Sequence, residues 1–81
     1  MKKFTVYVLK SEATNRFYVG HTRNIQQRLA MHNSHRVRST KAYAPWVVVY
    51  SEEVKTRLVA YAREMQIKSY KGGEAFKKLI Y

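Results

Sequence analysis

An α+β fold is predicted by three observations on this sequence. Residues 4–10 and 16–20 are β-prone runs separated by loop formers. Residues 46–50, Trp-Val-Val-Val-Tyr, are apolar throughout. The segments after residue 20 and after residue 55 carry helical spacing and helix caps. The first two runs read as a β-hairpin. With Tyr7 opposite Tyr18, Lys10 faces Asn15 and residues 11–14 form the loop, a common hairpin length. Alternation puts Thr5, Tyr7 and Leu9 on one face and Phe4, Val6 and Val8 on the other. Both tyrosines then share a side, while Phe17 and Val19 join the opposite, core-facing set.

Asn24 followed by Gln27 has the spacing of an N-cap and its N3 partner, and Ile25 and Leu29 share one helical face, so a helix is expected over residues 25–33. Arg28 and His32 lie one turn apart on it. Residues 34–45 are basic and irregular. Arg36, Arg38 and Lys41 with Ser39 and Thr40 suit phosphate contact, and they equally suit a solvated loop. The apolar run 46–50 reads as a strand buried on both faces or central in its sheet, with Trp46 in the core. Residues 56–71 form the longest helical pattern, with Leu58, Ala62, Met65 and Ser69 on one stripe and Arg57, Glu64, Lys68 and Lys71 on another. Gly72 and Gly73 stop it, and residues 74–80 form a last helix packing Phe76, Leu79 and Ile80 onto the domain.

A chain of 81 residues without linker or repeat is expected to be one domain, residues 1–81. Sixteen Lys and Arg against five Asp and Glu give a net charge of +11, which attracts polyanions through charge neutralisation and counterion release. Nucleic acid is therefore the expected partner, with ribosomal or membrane-surface contact as other readings of the charge. The chain has no cysteine, which excludes disulfides and thiolate metal sites and fits a cytoplasmic setting. The apolar stretch behind Met1, Lys2 and Lys3 ends at Leu9, so neither export nor a membrane span is expected. No protein partner is evident. His21 and His35 read as surface or loop residues.

Taken together, Thr5-Val6-Tyr7, Tyr18-Val19-Gly20, Arg28, His32-Asn33, Ser39-Thr40, Pro45-Trp46 and Arg63-Glu64 resemble, in that order, the GIY-YIG nuclease domain, over about residues 4–80. The similarity is closest to the small stand-alone bacterial members of the superfamily that includes homing endonucleases and the incision subunit of excision repair. It implies a three-stranded antiparallel sheet flanked by helices and a site that hydrolyses phosphodiester bonds, with DNA as the expected substrate and one divalent ion, Mg²⁺ or Mn²⁺. Thr5 and Val6 stand where the family name has Gly and Ile, and no Asn follows Asn33, although many active members carry one near the domain end.

By that resemblance Glu64 would hold the metal, because Mg²⁺ keeps several waters and needs only one or two carboxylates. Arg28 would hydrogen-bond the phosphate as charge accumulates. Tyr7 or Tyr18 would take the proton from water, with His32 as a rival base of better-placed intrinsic acidity. Gly20 would let the backbone turn from strand to helix beside the phosphate. Lys68 would touch nucleic-acid phosphate or pair with Glu64, and Arg36, Arg38 and Lys41 would extend the binding surface. The expected function is a structure-selective rather than sequence-selective endonuclease. The alternative is a catalytically weak or silent module that binds DNA or RNA.

Overall fold

The computed structural model describes residues 3–34 and 36–81, so His35 lies outside the described residues. Strand β1, Phe4–Ser11, is rich in β-branched and aromatic residues, and so is β2, Phe17–Thr22. Helix α1, Ile25–Asn33, is capped by the Asn24 side chain, which accepts from the Gln27 N–H at 3.0 Å. A short 3-10 turn at Lys41–Tyr43 leads through a cis Ala44–Pro45 peptide into β3, Trp46–Val54. Helix α2, Arg57–Ser69, has Thr56 as its N-cap, and the chain leaves it through positive φ at Lys71 and Gly72. Helix α3, Glu74–Ile80, follows.

The strands form one antiparallel sheet in the order β2-β1-β3, giving an α+β fold. The hairpin register differs from the expected one. Leu9, not Tyr7, faces Tyr18, and Tyr7 faces Gly20. Ser11 stays in the ladder because its N–H donates to Arg16 O at 2.9 Å, while its Oγ accepts from the N–H groups of Ala13 and Thr14. The loop is therefore residues 12–15. A two-residue slip preserves which residues share a face, so both tyrosines still lie on one side.

The apolar run that begins β3 is not central. β3 is an edge strand, with Val47 and Val48 each 37% exposed, and β1 takes the middle. The hairpin occupies one edge of β1, and β3 pairs along the other. Pairing of Ser51, Glu52 and Glu53 with Tyr7, Val6 and Thr5 also extends β3 beyond residue 50, overriding the low strand propensity of Glu.

One face of the sheet packs against α2 and α3 through Phe4, Val6, Val8, Val19, Ala60, Ile67 and Phe76. Leu79 and Ile80 join this layer as expected. Fully burying side chains such as Val6, Val8 and Ile67 stabilises by about 1.5–3 kcal/mol each. The buried stripe of α2 is Ala60, Glu64 and Ile67, whereas Leu58 is 78% exposed and Met65 is 38% exposed, the reverse of the expected rotation. Ala60 allows close approach to the sheet, and Glu64 tolerates burial because both its oxygens are bonded. No helix among the described residues is long and apolar enough to cross a membrane.

Candidate active site

The other face of the sheet carries Tyr7, Leu9 and Trp46, joined by Tyr18, Ile25 and Leu29. Helix α1 lies over it and turns His32 fully inward, where burial needs two partners to satisfy the ring nitrogens. Nε2 meets the Tyr7 hydroxyl at 3.3 Å, and Nδ1 meets Thr40 Oγ1 at 2.8 Å. Thr40 Oγ1 in turn donates to Val37 O at 3.4 Å, so it accepts from Nδ1–H and leaves Nε2 to accept from the phenol. Burial, aided by the Arg28 guanidinium, holds His32 below its ordinary range and keeps it neutral.

The loop between α1 and β3 is held by the groups that the motif places together. Asn33 accepts from Trp46 N–H at 2.6 Å and donates to Trp46 O at 3.0 Å. The Trp46 indole, buried as expected, donates to Thr40 O at 3.0 Å. Thr40 is thereby fixed against His32, in a segment whose composition alone reads as irregular.

Tyr7 and Tyr18 stack with ring centroids 6.3 Å apart, and the Tyr18 ring lies 4.8 Å from that of His32. Gly20 does not form a strand-to-helix turn. It sits within β2 facing Tyr7, and a Cβ there would lie 2.7 Å from Tyr7 Oη and 3.2 Å from Tyr18 Cε1. Its missing side chain makes room for the phenol. Burial pushes the Tyr7 hydroxyl well above its ordinary range. Tyr18 and the Glu64 carboxylate add to that rise, and Arg28 opposes it.

Glu64 reaches the site from α2 with its side chain only 11% exposed. Oε1 meets His21 Nδ1 at 2.6 Å, and Oε2 accepts from Lys68 Nζ at 2.6 Å. Sequence reasoning left His21 on the surface. The signal that could have found it is alternation along β2, which puts His21 on the same face as Phe17 and Val19, toward α2. Lys68 pairs with Glu64 and also lines, with Tyr18 and Lys71, a cavity of about 350 Å³. Arg36 lies apart, in a separate concavity with Gln27, Ala30, Met31 and Ser34. Arg38 and Lys41 are exposed on the α1–β3 loop.

No group of three or more His, Cys, Asp or Glu among the described residues could form a metal cage. The donor set suits a hard cation that retains most of its water and takes one carboxylate. Glu64 already attracts a positive charge: the Lys68 ammonium, on a side chain 46% exposed, occupies Oε2.

This arrangement has known relatives. The GIY-YIG catalytic domain model matches residues 3–77. A UPF0213 protein of Staphylococcus haemolyticus (strain JCSC1435) is 34% identical over 80 residues, spanning 98% of this chain and 96% of that protein. GIY-YIG domains have a nuclease-type function on nucleic acid and generally depend on a divalent metal. With matches of this extent, the chain belongs to the GIY-YIG family.

Proposed function

We propose that this chain is an endonuclease that hydrolyses DNA phosphodiesters with one divalent cation, Mg²⁺ or Mn²⁺, selecting DNA structure rather than base sequence. The observation that carries this reading is the buried Tyr7 phenol, which lies 3.3 Å from His32 Nε2 and stacks on Tyr18, with Arg28 and Glu64 both acting on it electrostatically. Few structural needs explain a buried phenol, a neutral buried imidazole, an arginine and a carboxylate in one place.

Hydrolysis forms a bond from water oxygen to phosphorus and breaks the bond to the departing 3′ oxygen, which leaves with the bonding electron pair and takes a proton from solvent water. Tyr7 is held protonated by burial, which makes it a poor phenolate but a good relay. Its oxygen takes the proton of the attacking water as its own proton passes to Nε2 of neutral His32. Thr40 fixes the imidazole tautomer for that transfer. Tyr18, half-buried against His32, orients the water, and Arg28 donates to the phosphate oxygens as charge develops. Glu64 would hold the cation, with His21 steadying the carboxylate and Lys68 yielding its place. When bound, that cation supplies charge neutralisation at the phosphate and the leaving oxygen. Arg36, Arg38 and Lys41 extend the surface for the strand, and the +11 charge supports nucleic-acid attraction.

A second reading, a silent nucleic-acid-binding module, is favoured by one observation: both Glu64 oxygens are already engaged. Nicking of supercoiled plasmid and cleavage of a labelled flapped DNA, with Mg²⁺ titrated, separates the two. The endonuclease cuts, and folded Glu64→Ala and Tyr18→Phe variants lose the cut. Metal-independent binding without turnover, or equal cutting by Glu64→Ala, sinks the metal-site reading.

A further inference from the structure

Next to the catalytic groups, a concavity of about 340 Å³ is lined by Phe4, His21, Thr22, Arg23, Arg28 and Arg57. The Arg23 guanidinium carbon lies 5.3 Å from the Phe4 ring centroid and that of Arg57 lies 5.5 Å from it. One aromatic ring therefore orients two guanidiniums from different elements, one following β2 and one opening α2. Among the described residues, none of Arg23, Arg28 and Arg57 pairs with a carboxylate. Glu52, Glu53 and Glu64 are each paired with other cations. Three like charges held around one small hollow repel one another unless an anion enters, and guanidinium forks match phosphate oxygens.

We propose that this hollow is a second phosphate subsite, which takes the nucleic-acid phosphate flanking the one that is cut. The inference rests on the nuclease reading for its substrate, and it assigns Arg23 and Arg57, which the catalytic scheme does not use. Arg28 belongs to both sites and His21 links the hollow to Glu64, so one strand can occupy both at once. The volume lies at the small end of ligand pockets, enough for a phosphate with its sugar and too little for a stacked base pair. Arg23 and Arg57 thus act as binding residues that hold the strand beside Arg28 and Glu64, equally in the ground state and the transition state.

The test begins with inorganic phosphate titrated into ¹⁵N-labelled protein. Saturable shifts of the Thr22, Arg23 and Arg57 amides in the wild type, lost in R23Q/R57Q and kept in K77Q/K78Q on exposed α3, support the subsite. Absence of saturation in the wild type, or equal shifts in R23Q/R57Q, overturns it. With single-stranded DNA, R23Q/R57Q should lower the slope of log affinity against log salt by about 1.4, two contacts at roughly 0.7 each, and K77Q/K78Q should lower it less. In cleavage, R23Q/R57Q should raise KM about ten-fold and leave kcat within about two-fold, as expected for lost uniform binding of the strand. A wild type that binds phosphate in the hollow but never cuts refutes the nuclease and spares the pocket. Cutting without phosphate capture refutes the pocket alone.

Discussion

The two faces of the sheet use the same strands and bury opposite chemistry. The face under α2 and α3 is apolar, from Phe4 through Val8 to Ile67 and Phe76. The face under α1 buries Tyr7, His32, Thr40 and Ser11 among fewer hydrophobic groups, and no buried side-chain N or O among the described residues lacks a partner. An apolar layer needs only volume and shape, so it can supply the stability of a small domain. A polar layer must satisfy every group in a directed network, which costs tolerance to substitution and in return fixes orientation. Here an apolar layer and a polar layer are separated by the thickness of one sheet, and Glu64, to which the proposed mechanism assigns the cation, is buried on α2 with the apolar one.

The comparison breaks most visibly at Ile67. Ile67→Ala should cost about 2–5 kcal/mol, a large share of the stability of a domain this size, measured by urea unfolding. Whatever protein remains folded should retain its cleavage rate. Gly20→Ala should do the opposite. Its Cβ forces the Tyr7 phenol aside, costing about 1–3 kcal/mol in stability but about 10²-fold in cleavage. If Gly20→Ala cuts normally, the position of Tyr7 is not important to the chemistry.

His32→Gln sharpens the contrast through pH. It should destabilise by about 1–3 kcal/mol near neutrality by leaving Tyr7 or Thr40 without a matched partner. His32 has a depressed folded-state pKa, so below its ordinary 6.5 the unfolded chain binds the extra proton and stability falls as pH drops. That loss should begin near pH 6.5 in the wild type and be reduced in His32→Gln. Burial alone would raise Glu52, but hydrogen bonds from Arg63 and Tyr50 hold it below its ordinary 4.5, so its loss should begin only under that pH. The smallest effect belongs to this pair on the α2 side. Arg63→Gln, which removes the 2.8 Å contact to Glu52, should cost about 0.5–1 kcal/mol and leave activity intact, because the pair is partly solvated.

Much of this was readable from residue order. The cap at Asn24, the break at Gly72 and Gly73 and the β-branched runs are local signals, and they mark α1, α2, α3 and the strands to within a few residues. The paired tyrosines, Arg28 with His32, and Glu64 were readable as a family pattern. The strand order was not, because Trp-Val-Val-Val-Tyr is as suited to an edge as to a centre until the other strands compete for β1. Nor was the rotation of α2: Leu58 and Met65 are more hydrophobic than Glu64, yet Glu64 turns inward because His21 and Lys68 meet its two oxygens.

The sequence by itself determined where the helices lie and where the strands start, which residues share a strand face, and that the chain attracts polyanions. Caps, alternation and net charge act between near neighbours or through the whole composition, and need no knowledge of the fold. Only the tertiary structure decided that Gly20 makes space for Tyr7, that His32 sits neutral between Tyr7 and Thr40, and that Arg23, Arg28 and Arg57 share one hollow. Those relations join residues distant in the chain, and their energies of close contact, desolvation and charge depend on positions that only packing sets.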